Sequence, residues 1–332
     1  MRRRTNIIVR ATGLLLVLVF VMSGFNGTIF ADKGISGEII IFHAGSLSIP
    51  FADLEKAFEA KYSGTDVIRE AAGSRTTARK VTDLGRRADI VASADYTVIK
   101  NLMIPEFTDW YINFATNEMV IMYTPHSRYA GEINADNWYK ILLRPGVEYG
   151  HSDPNADPCG YRSQLVWKLA EKYYQEPGLY SKLVEGCPDR NVRPKETDLI
   201  ALLEAGELDY IFIYRSVARQ HGLPFVELPE KINLKTDKYS DFYATVSFEV
   251  TGKKPGEMIT QTGKPMVYGI TIPNVAQNKE GAVEFVKFLI GPEGQRIMRK
   301  NGQPPIVPAE TNDPERVPPE LRPFVVGINS IP

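Results

Sequence analysis

Gly37-Glu38-Ile39-Ile40-Ile41-Phe42-His43-Ala44-Gly45-Ser46-Leu47-Ser48 reads as a strand, a turn of small residues and the first turn of a helix. Residues 37–42 form a short β-rich apolar run that suits a strand buried on both faces. Beyond the turn, Leu47, Phe51, Leu54 and Phe58 share one helical face. Pro50 fits only near a first turn, which sets the helix start between residues 46 and 49. This layout turns backbone N–H groups toward whatever lies beyond the strand's carboxyl end.

The same order of elements returns downstream. Residues 66–70 predict a strand, Gly73-Ser74 a turn and residues 77–85 a helix, before a third strand over 88–93 that ends near Asp95. Then come a strand over 114–123 and a helix over 160–176 with Leu165, Val166, Leu169 and Tyr173 at helical spacing. A helix over 197–206, stopped by Gly206, leads to a strand over 209–214. Residues 226–265 predict loops around one strand near 245–250. A last strand over 266–272 and a helix over 281–290, continued by 295–300, precede a proline-rich tail that wraps the surface from Asn301. Strands alternating with helices predict an α/β fold with parallel sheets.

The length of 332 residues favours about two domains. A composition that is 43% hydrophobic and 24% charged, with a net charge of −1, argues against nucleic acid as a partner, which needs a basic face. The N-terminus stands apart. Arg2, Arg3, Arg4 and Arg10 precede an apolar run over 11–24 and then small and polar residues up to Ala31, the pattern of a secretory signal over 1–31. The run is short of the about 20 residues of a full span. A retained N-terminal anchor stays open, and either way the domain works outside the cytoplasm. Cys159 and Cys187 fit one disulfide in an exported protein, or Cys159 is there for its small size.

Residues 151–162, His-Ser-Asp-Pro-Asn-Ala-Asp-Pro-Cys-Gly-Tyr-Arg, hold two Asp-Pro pairs at the start of the long helix. An acid before a proline there is an N-cap signature. The N–H groups of Cys159 and Gly160 would then make a partly positive cup for an anion. Asp157 places a carboxylate beside that cup, which is electrostatically awkward unless it has another use.

Ala44-Gly45-Ser46, Gly73-Ser74, Asp157-Pro158-Cys159-Gly160-Tyr161-Arg162 and Arg193-Pro194-Lys195-Glu196-Thr197-Asp198 together resemble the archaeal-type molybdate/tungstate-binding proteins, the extracellular component of ATP-binding-cassette importers. The resemblance runs from about Gly37 to Pro308. It implies a two-lobed periplasmic-binding-protein-like fold of type II, with a mixed, mainly parallel sheet in each lobe. Residues 37–116 plus 270–332 would form one lobe and 117–269 the other, with the ligand between them. It implies a monomer with no enzymatic activity and no cofactor, whose ligand passes to a membrane permease and its ATPase. The oxyanion contacts it implies are Gly45, Ser46, Ser74, Pro158, Cys159 and Tyr214, with Asp157 and Glu196 on the metal.

Neutral donors converging at helix ends can hold a tetrahedral dianion and still let it go. Two carboxylates should repel it, by roughly 4 kcal/mol per pair of unit charges at about 4 Å in a medium of effective dielectric about 20. Molybdenum(VI) and tungsten(VI) resolve this, because a large hard centre can add carboxylate oxygens to its four oxo groups and become six-coordinate. Sulfur and phosphorus cannot, so the acidic pair would exclude sulfate and phosphate. Each residue also has a plainer reading. Asp157 and Asp153 suit a cap and a turn, Glu196 suits a helix start, Ser46 and Ser74 suit caps, and Tyr214 suits a buried strand. The four histidines lack metal-ligand spacing, and Arg162, Arg193 and Lys195 read as solvated or structural. A sulfate- or phosphate-binding protein is one alternative. An exported hydrolase with Asp157 and Glu196 as acid and base is another, although no nucleophile elbow, zinc signature or Walker motif accompanies them.

Overall fold

A computed structural model describes residues 34–328; the expected signal over 1–31 lies outside the described residues. Two mixed sheets and a hairpin account for the strands. They are, in chain order, β1 (Gly37–Ala44), β2 (Thr65–Ala72), β3 (Ile90–Ser93), β4 (Ile112–Thr116), β5 (Met119–Tyr123), β6 (Tyr149–Ser152) and β7 (Val192–Arg193). After these come β8 (Tyr210–Tyr214), β9 (Phe225–Glu227), β10 (Ser247–Thr251), β11 (Met258–Thr262), β12 (Val267–Thr271), β13 (Pro305–Thr311) and β14 (Val325–Gly327). The larger sheet has the order β14-β13-β4-β12-β3-β1-β2, and the smaller one β7-β6-β8-β5-β9.

β1 lies parallel between β2 and β3, and its two faces feed two clusters. Ile39 and Ile41 meet Phe51, Leu54 and Phe58 of the helix Ser48–Lys61, whereas Phe42 meets Ala78 and Val81 of the helix Ser74–Thr82. The period-2 alternation of a strand separates them. All four residues of the expected helical face, Leu47, Phe51, Leu54 and Phe58, are fully buried. Around the smaller sheet, the helix Pro158–Tyr174 buries Leu165, Val166 and Leu169. Tyr173 is instead 37% exposed, and Tyr174 turns inward to stack on Tyr139.

Several elements differ from the sequence reading. The expected strand over 114–123 is two, because Asn117 and Glu118 carry the chain from β4 in the larger sheet to β5 in the smaller. Asn117 replaces the lost ladder contacts, its Oδ1 accepting from the N–H groups of Glu118 (3.0 Å) and Ser216 (3.3 Å). β12 already belongs to the larger sheet at Val267, three residues before the expected lobe boundary at 270. The segment 226–265 contains an antiparallel hairpin, β10–β11, rather than one strand. The tail does not merely wrap the surface: β13 pairs with β4, with a register shift between Pro305 and Glu310 that accommodates its prolines. The sheets are mixed, as the resemblance implied: β1 runs parallel to β2 and β3, whereas β12 runs antiparallel to β3 and β4, and β5 to β8. No helix among the described residues is long and apolar enough to cross a membrane.

Candidate functional site

The strand ends of the larger sheet face the helix starts that flank the smaller one. β1 passes into the short 3-10 turn Gly45–Leu47, where the buried Ser46 hydroxyl lies 2.9 Å from the Tyr268 phenol of β12. β2 passes through Gly73 into Ser74, whose buried hydroxyl accepts from the Ala94 N–H at 2.9 Å. The next two amides, of Arg75 and Thr76, donate across the cleft to the Ala156 carbonyl at 3.1 and 3.2 Å. Gly73 permits this approach. A Cβ there would lie 2.4 Å from the Ala156 carbonyl oxygen and 2.9 Å from that of Pro194.

From the other side, Asp157 caps the helix Pro158–Tyr174. One carboxylate oxygen accepts from the Cys159 N–H at 3.2 Å, and the other from the Glu196 N–H at 3.0 Å. The expected cup at Cys159 is thus engaged by the cap itself, and Gly160 N–H reaches the Asp157 carbonyl at 3.1 Å. Pro158 occupies the first turn, where its missing N–H leaves nothing unpaired. Asp153 stays a turn former, accepting from the Asn155 N–H at 2.8 Å.

Glu196 does not act at a helix start. The helix Asp198–Glu204 begins two residues later, and the Glu196 side chain is 1% exposed with no hydrogen-bond partner on either carboxylate oxygen. It lies against Gly45, where a Cβ would come within 2.9 and 3.0 Å of those oxygens. Burial and then the neighbouring Asp157 push the Glu196 carboxyl well above its usual range, and burial raises Asp157 as well. Two buried carboxyls that share a pocket without a countercharge retain a proton between them. An uncompensated acid of this kind is costly for folding and points to a ligand that uses it.

Tyr214, fully buried at the end of β8, accepts from Arg162 Nη1 at 3.1 Å. Arg162 is not solvated: it is 2% exposed and central. The same nitrogen donates to the Ala94 carbonyl at 2.8 Å, and Nη2 lies 3.2 Å from Asp95. Asp95, Tyr268 and Asn117 were also missed. The available signals were an acid at the end of a predicted strand and an arginine inside the most distinctive motif. Arg193 and Lys195 remain peripheral, Lys195 pairing with Asp198 at 3.1 Å. Cys159 and Cys187 are separate buried free thiols, near the carbonyls of Phe212 and Tyr149, and burial raises both. His43 and His151 bond the carbonyls of their own successors, and burial holds His43 down to about 4.

Two sheets, each flanked by helices, with polar strand ends of one facing helix starts of the other, give a two-lobed periplasmic-binding-protein-like fold. The periplasmic molybdate-binding protein of Azotobacter vinelandii shares this fold at a TM-score of 0.57 and 15% identity, over 80% of this chain and 98% of that one. The chain belongs to the bacterial extracellular solute-binding protein family, which matches it over residues 39–303. An uncharacterized solute-binding protein of Petrotoga mobilis is 68% identical over 320 residues, 96% of this chain and 98% of that protein. The molybdate/tungstate-binding protein WtpA of Pyrococcus abyssi is 47% identical over 335 residues, covering 91% and 95% respectively. These relatives are solute-binding proteins rather than enzymes.

Proposed function

We propose that this protein captures tungstate and molybdate outside the cell and passes them to the permease of an ATP-driven importer. The observation that carries the reading is the Glu196 carboxylate, buried with both oxygens unpartnered beside Asp157. A simple anion would be repelled there. A hard metal centre that can expand its coordination would instead accept one oxygen from each acid. Gly45, Ser46, Ser74, Pro158, Cys159 and Tyr214 would surround the oxo groups. Ser74 and Tyr214 already accept a hydrogen bond each, which leaves their own protons free to be donated. The cleft would divide residues 37–116 and those from β12 onward from the intervening segment. The name of the Pyrococcus relative supports the same ligand pair.

Thermal unfolding of residues 32–332 with tungstate, molybdate, sulfate and phosphate tests this. A ligand at 1,000 times its dissociation constant stabilises by about 4 kcal/mol, a shift of several degrees. Shifts with tungstate and molybdate only, abolished in Asp157→Ala and Glu196→Ala, are expected. An equal shift with sulfate or phosphate overturns the coordination reading.

A further inference from the structure

Arg162 carries a charge between the two sheets and also touches an expected ligand group. It projects from the helix Pro158–Tyr174, packed on the smaller sheet, into the end of β3 in the larger one. There it meets the Ala94 carbonyl and Asp95, while holding the Tyr214 phenol. Asp95 is 1% exposed and fully engaged. It accepts from the Tyr161 hydroxyl at 2.8 Å, from the Thr97 N–H and hydroxyl at 2.9 and 2.8 Å, and faces Lys264 at 3.7 Å. Ala94 links the same point to Ser74, its N–H donating to that hydroxyl.

We propose that Asp95 and Arg162 form a charge latch across the cleft, which holds the lobes together and aims the Tyr214 proton at the oxyanion. Arg162 is a positioning residue in this scheme, since it acts through Tyr214 and Asp95. A phenol that accepts from a guanidinium must send its own proton elsewhere, and it becomes the stronger donor for it. The local charge also favours the anion, because one carboxylate faces two cations at the latch. Burial opposes ionisation of Asp95, but Lys264, Arg162 and the Thr97 bonds outweigh it and hold the carboxyl down at about 2. The latch is therefore charged whenever the cleft is in use.

The energetics suit a device that must open. Separating a buried ion pair loses attraction but regains hydration, so the complete latch costs little to break. Removing one partner is different, because closure then buries an unpaired charge. The affinity of a cleft that must close to bind falls with the fraction of molecules able to close.

The latch rests on the proposed ligand only for its binding arm, and a second arm needs no ligand. In stopped-flow release of tungstate, Asp95→Asn and Arg162→Gln should each speed dissociation by about 10-fold or more, since losses of buried charge partners appear mainly in off-rates. Arg162→Lys should fall between, retaining charge without the fork. In a Tyr214→Phe background the Arg162→Gln effect should shrink, which a merely structural arginine would not produce. Without ligand, small-angle scattering should give Asp95→Asn a larger radius of gyration than the natural chain. If the natural chain fails to bind tungstate, the functional reading falls and the radius decides the latch. Unchanged release where tungstate binds, or unchanged radius where it does not, overturns the latch.

Discussion

Glu196, the proposed metal ligand, would join stability and function at a single carboxyl. Neither side-chain oxygen has a hydrogen-bond partner, and burial, then the neighbouring Asp157, raises its affinity for a proton. The folded chain therefore holds this proton at pH values where the unfolded chain has lost it. With more protons bound in the folded state, stability falls as pH rises from the ordinary glutamate value toward the raised one. Glu196→Gln removes that titration and offers an amide donor to Asp157. The ligand-free variant should be more stable than the natural chain at pH 8, by about 1–2 kcal/mol, with the gap closing toward pH 4.5. Urea unfolding across that range checks the sign. Loss of the tungstate-induced shift in the same variant is expected, and a variant less stable at pH 8 would refute the strained-pair account.

At the scale of elements, two glycines separate packing within a lobe from packing across the cleft. Gly73 has φ −57° and ψ 140°, values any residue adopts, and what crowds it is the facing loop carrying Ala156 and Pro194. Gly160 lies inside the 158–174 helix, where a Cβ would come 2.2 Å from the Ser152 carbonyl of the adjoining strand β6. Gly73→Ala should weaken tungstate binding at least 10-fold while leaving ligand-free stability within about 1 kcal/mol, because only closure suffers. Gly160→Ala should destabilise the ligand-free chain by about 1–3 kcal/mol, because the clash persists in the open form. Calorimetric titration and unfolding of both variants distinguish them. The elements that sequence reading recovered are those with strong local signals: the strand–turn–helix units at Ser46 and Ser74, and the Asp157 cap. Those it missed depend on partners far along the chain. Asn117 breaks an apolar run without a glycine or proline, and the β10–β11 hairpin is anchored largely by contacts that lie outside its own sequence. Arg75, for example, donates to the Thr251 carbonyl. Arg162 stands in the most distinctive motif, but its burial against Asp95 depends on a partner 67 positions earlier in the chain.

The two main sheets are joined by short chain segments, and on the proposed two-lobed reading hinge closure is the expected motion. One path is Asn117-Glu118, between β4 and β5; another returns over residues 263–266, between β11 and β12. Residues 268–270 lie inside β12, which pairs with β3 and β4 on its two edges, so the return path bends before them. The first path is also tied to the site: the Asn117 side-chain amide donates to Ser216 at 2.8 Å and to the Tyr268 phenol at 3.2 Å, next to Ser46. On the proposed reading, closure would bring the serine donors of one lobe and the acid pair of the other onto the same oxyanion, so the bound state should be the compact one. Scattering should show the radius of gyration falling with tungstate and staying constant with sulfate. Asn117→Ala should loosen this coupling, leaving a smaller fall at equal saturation. Without the four arginines of the expected signal the domain is more negative than the whole chain's −1, so no overall positive field draws a dianion in and binding is left to local donors. A radius that does not change on saturation with tungstate would mean that binding needs no closure, and the link between hinge and site would be wrong.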